Sequence, residues 1–273
     1  MNTRWMIETH DTVMSTMDLA RERVRAGAGD GLVLVASEQT GGRGRRGHTW
    51  ESPPGGLWFS AVVGPGGEWR PTVMPELTVA AALAAAAACS DVTGLDVRMK
   101  WPNDLYIAEG KAGRTATVGR VPKTAGAAKV GGVIAETEAG AVVLGVGINA
   151  NVSAATLPSA EHYRITSLLY ETDAPVDLDD LLERVLTGLR VRVEQVRENG
   201  LSGLLPEWRV RSLELGRFVT VERAGETIQG AVRDIGPDGS LQVETDRGVL
   251  EIAPHGEVSV IVGARAGLDG NCT

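Results

Sequence analysis

Between Gly41 and Trp50 the chain reads Gly-Gly-Arg-Gly-Arg-Arg-Gly-His-Thr-Trp, three arginines set among four glycines. Glycine lets backbone amides close on an anion, and arginine adds fixed positive charge with two-pronged geometry. Such a loop suits a phosphate or an adenylate that must be wrapped once bound; the plainer alternative is a solvated basic loop. Further on, Lys100-Trp101-Pro102-Asn103-Asp104 ends an apolar run with a proline that cannot extend a ladder. Asp104 could ligate a metal there, or hold a ribose or an ammonium group. Asn-Asp pairs also form Asx-turns readily, and taken alone the segment reads as a turn.

The elements that must position these residues follow from periodicity. Short apolar runs bounded by Gly, Pro or Ser predict strands at residues 32–36 and 57–63, with further strands at 96–101, 130–136 and 141–147. Residues 39–54 are too rich in Gly, Arg and Ser for either regular structure. An alanine-rich stretch at 74–89 predicts a helix buried on most sides, with Pro75 in its first turn. Leu181, Leu182, Val185, Leu189, Val193 and Val196 fall at helical spacing and predict an amphipathic helix over 177–199, stopped by Asn199-Gly200. Ser15 with Asp18 forms a near capping box for a helix over 17–26. Beyond Leu215 short strands at 218–222, 227–235, 240–244, 248–252 and 258–262 alternate with tight turns and predict a small barrel. Residues 108–128, rich in Gly, Ala and Thr, are too long for a plain connection.

The chain of 273 residues, 43% hydrophobic and 23% charged, has the make-up of a globular protein with one sizeable core and a small appended domain. A formal charge of −8 argues against bulk affinity for nucleic acid, which needs phosphates neutralised by Lys and Arg. Cys89 and Cys272 give neither metal spacing nor a disulfide framework, and His10, His162 and His255 are scattered. No run reaches the roughly 18 apolar residues of a membrane span, and no leader-like segment opens the chain, so the expected compartment is cytoplasmic.

Four segments in order carry a resemblance: Gly42-Arg43-Gly44-Arg45-Arg46-Gly47 followed by Trp50; Lys100-Trp101-Pro102-Asn103-Asp104; Lys129-Val130-Gly131-Gly132-Val133-Ile134-Ala135-Glu136; and Gly145-Val146-Gly147-Ile148-Asn149. Together they resemble the ordered motifs of the biotin protein ligases, strongly over residues 9–151 and weakly towards the C-terminus, where His255-Gly256-Glu257-Val258-Ser259 matches the family's last domain. The resemblance implies an α/β (α+β) mixed-sheet catalytic domain of the biotin/lipoate ligase type over residues 1–213. It further implies a small SH3-like β-barrel over 214–264 and a tail over 265–273. The motifs begin by Ser15, which leaves no room for the N-terminal DNA-binding domain of the repressor members and implies the monofunctional type.

The chemistry implied is activation of biotin with ATP to biotinyl-5'-adenylate, with Mg²⁺ accompanying the nucleotide. Biotin then passes to a lysine of the biotin carboxyl carrier domain of an acyl-CoA or pyruvate carboxylase. By resemblance, Lys129, Arg45 and Asp104 are catalytic, and Ser15, Thr16, Gln39, Gly42, Arg43 and Lys129 hold biotin. Arg45, Arg46, Trp50, Asn103 and Asn149 hold ATP, and Asp104 is also the metal-orienting group. Met17 stands where the family often has Asn. Lys111 sits at the family's usual distance after Asp104, but the motif following Lys129 fits far better; Lys129 is therefore chosen and residues 115–128 are read as part of an insertion. Glu257 would reach the nucleotide site or serve as a turn charge. An acyl-adenylate is quickly lost to water, so loop 41–49 is expected to be mobile without ligand and closed over the intermediate. A lipoate ligase or lipoyl transferase of the same architecture and a non-catalytic biotin-binding regulator are the rival readings. The expected assembly is a monomer or weak homodimer, with neither nucleic acid nor membrane as partner.

Overall fold

The computed structural model describes residues 4–64, 73–109, 126–158, 163–223, 226–254 and 258–265. Its first part is a mixed sheet of β1 (Met6–Val13), β2 (Leu32–Gln39), β3 (Leu57–Val63), β4 (Val97–Lys100), β5 (Asp104–Ile107), β6 (Ala128–Glu138), β7 (Ala141–Ile148) and the short β8 (Arg164–Ile165). The order across it is β1-β2-β3-β7-β6-β5-β4, with β8 beside β6. β1 and β2 run parallel, joined by the crossover helix α1 (Thr16–Arg25); β8 runs parallel to β6, and the remaining pairs are antiparallel.

Alternation along β2 shows how the layers form. Leu32 and Leu34 pack under α1, while Val33 between them joins the main core on the opposite face. That face is covered by α2 (Val73–Thr93), which lies on β4–β7; α3 (Leu168–Thr172) follows, and α4 (Leu178–Asn199) packs on α2. Small side chains let the two long helices approach closely: a Cβ on Gly188 of α4 would lie 3.5 Å from the Ala84 Cβ of α2. Asp177 caps α4 by accepting the N–H groups of Asp179 and Asp180.

One expectation needs correcting. α2 is long and apolar enough to cross a membrane by length and composition, with a mean hydropathy of 1.6 over its best window. Counting uninterrupted apolar residues missed this, because Glu76 and Thr78 break the run. Within the fold 67% of that window is buried, which explains a helix apolar on every side without invoking a bilayer.

After α5 (Leu205–Arg211) come β9 (Arg217–Arg223), β10 (Glu226–Ile235), β11 (Leu241–Thr245), β12 (Gly248–Ile252) and β13 (Val258–Arg265). They form an antiparallel sheet in the order β12-β11-β10-β9-β13. The small SH3-like barrel expected here is seen as this bent antiparallel sheet: register shifts in β10 and β13 bend the strands, and among the described residues no pairing joins β12 to β13. Val219, Val221 and Val232 share one hydrophobic core with Leu77 and Leu83 of α2, which fastens the second sheet to the first part. Lys111, His162, His255, Glu257, most of the expected insertion and the tail beyond Arg265 lie outside the described residues.

Candidate active site

A cavity of about 530 Å³ opens on the α1 side of the large sheet. Its floor is made by strand positions that lack a side chain. Gly132 of β6 pairs with Gly147 of β7, and Ile134 with Gly145. A Cβ on Gly147 would lie 2.7 Å from Trp50 Nε1, and one on Gly145 would lie 2.6 Å from Met17 Sδ. Val133, Leu144 and Val146 alternate with these residues and join the main core beneath. The glycines thus let Trp50 and Met17 settle onto the sheet and leave room above it.

The end beside α1 is neutral and polar. Ser15 is the N-cap of α1 and is buried, but its side chain makes no capping hydrogen bond, so the expected capping box does not form. Gln39, at the end of β2, accepts the Thr16 backbone N–H at 2.8 Å and the Thr16 hydroxyl at 3.0 Å. The Gln39 amide nitrogen donates to Ser52 Oγ at 2.9 Å, and Thr16 Oγ1 lies 2.8 Å from Ser60 Oγ. This network fixes the direction of the amide.

The other end is charged. Lys100 pairs with Asp104 across the β4–β5 hairpin, and the intervening turn, with a cis Trp101–Pro102 peptide, presents Asn103 and Asp104. Asp104 Oδ1 holds Lys129 Nζ at 2.8 Å. That ammonium also lies 5.2 Å from the Trp50 ring and 5.5 Å from the Tyr163 ring, within cation–π range of both. Asn103 accepts a hydrogen bond from Arg45 Nη1 at 2.9 Å and donates to the Val133 carbonyl at 2.5 Å. Arg43 lies instead on the α1 side of the cavity: its Nη2 donates to Asp18 of α1 at 2.7 Å and its Nη1 lies 3.3 Å from Glu136, while its buried Nε has no hydrogen-bond partner. The buried Trp50 Nε1 likewise has none.

Ser15, Thr16, Gln39, Arg43, Arg45, Trp50, Asn103, Asp104 and Lys129 therefore line one cavity. Gly42 and Asn149 do not. A Cβ on Gly42 would come within 2.4 Å of the Trp50 carbonyl, so this glycine shapes the loop from behind. Asn149 is buried and donates to the Thr166 carbonyl at 3.0 Å, bracing the segment that leads to α3. Arg46 lies in the short 3-10 turn Arg45–Gly47, and its side chain is outside what is described. Lys100, Tyr106 and Tyr163 also line the cavity but were not singled out as ligand contacts. Tyr163 follows a stretch without a recognisable pattern, so nothing local announced it. Trp58 donates to the Pro53 carbonyl and Trp5 to the Leu186 carbonyl, as packing residues do.

Comparison with known proteins accords with this geometry. Residues 10–153 match the family described as Biotin/lipoate A/B protein ligase, and residues 215–260 match the Biotin protein ligase C terminal domain. The chain belongs to the biotin/lipoate protein ligase family. It is 32% identical over 216 residues to the biotin–[acetyl-CoA-carboxylase] ligase of Mycobacterium tuberculosis, covering 78% of this chain and 73% of that one. It is 28% identical over 249 residues to the bifunctional ligase/repressor BirA of Bacillus subtilis, covering 89% of this chain and 70% of that one. Among solved structures, the biotin protein ligase of Aquifex aeolicus in complex with biotin and ATP matches with a TM-score of 0.76 at 26% identity, over 94% of this chain and 99% of that one.

Two ionisable groups of the cavity lining are shifted by their surroundings. Burial lowers the Lys100 pKa, against the opposing pull of Asp104 and Glu214. Burial likewise pushes the Tyr106 phenol well up, so it remains a neutral hydrogen-bonding group at physiological pH. Among the described residues no cluster of three or more His, Cys, Asp or Glu could hold a metal ion alone.

Proposed function

We propose that the chain is a biotin protein ligase that makes biotinyl-5'-adenylate from biotin and ATP and then biotinylates a lysine of a carboxyl carrier domain. The observation that supports the reading is one cavity lined both by a neutral hydrogen-bonding group beside α1, at Ser15, Thr16 and Gln39, and by three cations, Arg43 over α1 and Arg45 and Lys129 beside the Asn103–Asp104 turn. A ureido group suits the first and a carboxylate beside a phosphate the second. Residues 1–213 would form the catalytic domain and 214–264 the appended domain.

In the first step a biotin carboxylate oxygen attacks the α-phosphorus of ATP, and the bond to the leaving pyrophosphate breaks. Two anions must meet, so the site has to supply positive charge where they approach. Lys129 does this by exchanging Asp104 for the carboxylate and phosphate oxygens. Arg43 exchanges Asp18 and Glu136 in the same way, and Arg45 exchanges Asn103. The orphaned donors Arg43 Nε and Trp50 Nε1 gain acceptors. Mg²⁺ commonly binds through one or two carboxylates plus substrate phosphates, and Asp104 is the carboxylate among the cavity-lining residues. Asp104 would hold the ion, which supplies charge neutralisation on the phosphates.

In the second step the neutral amine of the acceptor lysine attacks the carbonyl carbon of the mixed anhydride, the bond to AMP breaks, and the nitrogen loses a proton. Asp104, released by Lys129, would steer the incoming neutral amine by accepting a hydrogen bond from it. Closure of loop 41–49 would keep water from the anhydride meanwhile. The carrier belongs to a biotin-dependent carboxylase, and the setting is the cytoplasm. The test is biotin-dependent ATP–pyrophosphate exchange with lipoate as control. Exchange with biotin is expected; exchange with lipoate alone would assign the chain to the lipoate branch, and none with either would make it a binding protein.

A further inference from the structure

Glu214 has no exposed surface, yet it stands at the junction between the two sheets and not in the cavity. Its Oε1 accepts the Trp101 backbone N–H at 2.8 Å, and its Oε2 accepts the Ser212 hydroxyl at 3.1 Å. The Trp101 indole donates to the Gly239 carbonyl, in the turn between β10 and β11, at 2.9 Å. The adjoining Leu213 N–H donates to the Met99 carbonyl at 3.0 Å. The turn at residues 101–103 is thus gripped from outside by the segment leading into β9 and by a turn of the second sheet. From its other side the same turn presents Asn103 to Arg45 and Asp104 to Lys129.

A buried carboxylate is costly, and burial pushes the Glu214 pKa up in spite of Lys100 and the hydrogen bonds it accepts. Packing alone would be served better by an apolar side chain. What a carboxylate adds is a fixed acceptor for one backbone N–H at the head of the turn.

We infer that Glu214 is a positioning residue for the nucleotide half of the site, setting Asn103 and Asp104 through the Trp101 N–H. The inference rests on the ligase reading above. β2, which carries Gln39, and β5, which begins at Asp104, stand four strand spacings apart, roughly 19 Å, so a shift of the turn leaves Ser15, Thr16 and Gln39 in place.

The test is steady-state pyrophosphate exchange by the full chain carrying Glu214→Asp, Glu214→Gln or Trp101→Phe. Glu214→Asp draws the carboxylate back by one methylene and is expected to raise KM for ATP about tenfold, leaving KM for biotin within about twofold. Glu214→Gln keeps an acceptor at the right reach and restores KM for ATP. Trp101→Phe removes the bond to Gly239 together with part of a buried ring, leaves the Trp101 N–H on Glu214, and shows the same split, but smaller. Unchanged KM values in Glu214→Asp, or parallel rises for both substrates, would overturn the inference, as would failure of Glu214→Gln to restore KM for ATP. A wild-type chain inactive with biotin would overturn the ligase reading first, and this inference with it.

Discussion

Lys129 Nζ and Asp104 Oδ1 meet at 2.8 Å across the neighbouring strands β5 and β6, under the rings of Trp50 and Tyr163. The pairing stores a cation beside the place where two anions must converge, with a partner that can be exchanged. Lys129→Ala should lower the rate of biotin-dependent pyrophosphate exchange by about 10²–10³, the loss typical of a removed electrostatic stabiliser. Lys111→Ala, at the rival position, should leave the rate within about twofold of wild type, because the assignment to Lys129 gives it no catalytic part. Reversal of that order in parallel assays would move the catalytic lysine to Lys111.

Gly145 offers a test of the cavity floor. An added methyl group would meet Met17 at Sδ and Cγ, 2.6 and 2.8 Å away, and Ile134 Cγ1 at 3.3 Å, side-chain atoms and not backbone, so the fold should survive. The displaced thioether then has to move towards the space assigned to biotin. Gly145→Ala is therefore expected to raise KM for biotin about tenfold, the scale of a methylene-sized misfit, with the melting temperature little changed. A large fall in melting temperature with an unaltered KM would place the methyl group's cost in the core instead.

Loop 41–49 should answer to ligands. Arg43 and Arg45 are both held by protein partners in the structure, and those partners must be given up to bind an anion. Brief trypsin digestion, with cleavage mapped by mass spectrometry, should show cutting at Arg43, Arg45 and Arg46 slowed by biotin plus ATP and less by biotin alone. Equal rates in every condition would remove the loop from the closing mechanism.

Two carboxylates near the second sheet should tilt stability with pH in opposite senses. The Asp234 pKa is lowered, first by the two-pronged Arg209 hydrogen bonds at 2.6 and 2.9 Å. A lowered folded-state value means the contribution is complete above the ordinary Asp range and is lost as pH falls through the folded value. Asp234→Asn should cost no more than about 1 kcal/mol near neutrality, since the pair is partly solvated, and nothing in strong acid. Glu214 is raised, so its native state binds the proton more tightly, and stability falls as pH climbs above the ordinary Glu value of 4.5. Relative to wild type, Glu214→Gln should thus gain stability between acid and neutral pH. Urea titrations across that range check both slopes.

The buried elements were the most legible in the sequence, because burial on both faces leaves long apolar runs: 57–63 matches β3, α2 extends slightly beyond its expected bounds, and α4 starts one residue inside its own. β1 escaped notice because it is an edge strand whose Glu8, His10 and Asp11 obscure the period of two. β5 is only four residues long and begins immediately after a turn that the proline seemed to end. In the site, the charged motif residues Arg43, Arg45, Asp104 and Lys129 come to line one cavity, whereas Gly42 lies behind the loop. The place of Asn149 was not readable, since a buried asparagine bracing a carbonyl looks the same in sequence as one awaiting a ligand. Glu214 had no signal at all, because an isolated glutamate reads as a surface charge until burial is known.

The cavity draws its walls from distant stretches of the chain, Ser15 near the beginning and Val260 and Ile261 on β13. Polypeptides are made N-terminus first, so a nascent chain on the ribosome will have completed the glycine floor, the arginine loop and Lys129 long before β13 emerges. A half-synthesised copy that bound biotin and ATP would hold its anhydride in a chamber missing one side, open to hydrolysis. The threading of the fold therefore acts as a timer: the chamber is whole only once the stretch through residue 261 has left the ribosome and β13 has paired with β9.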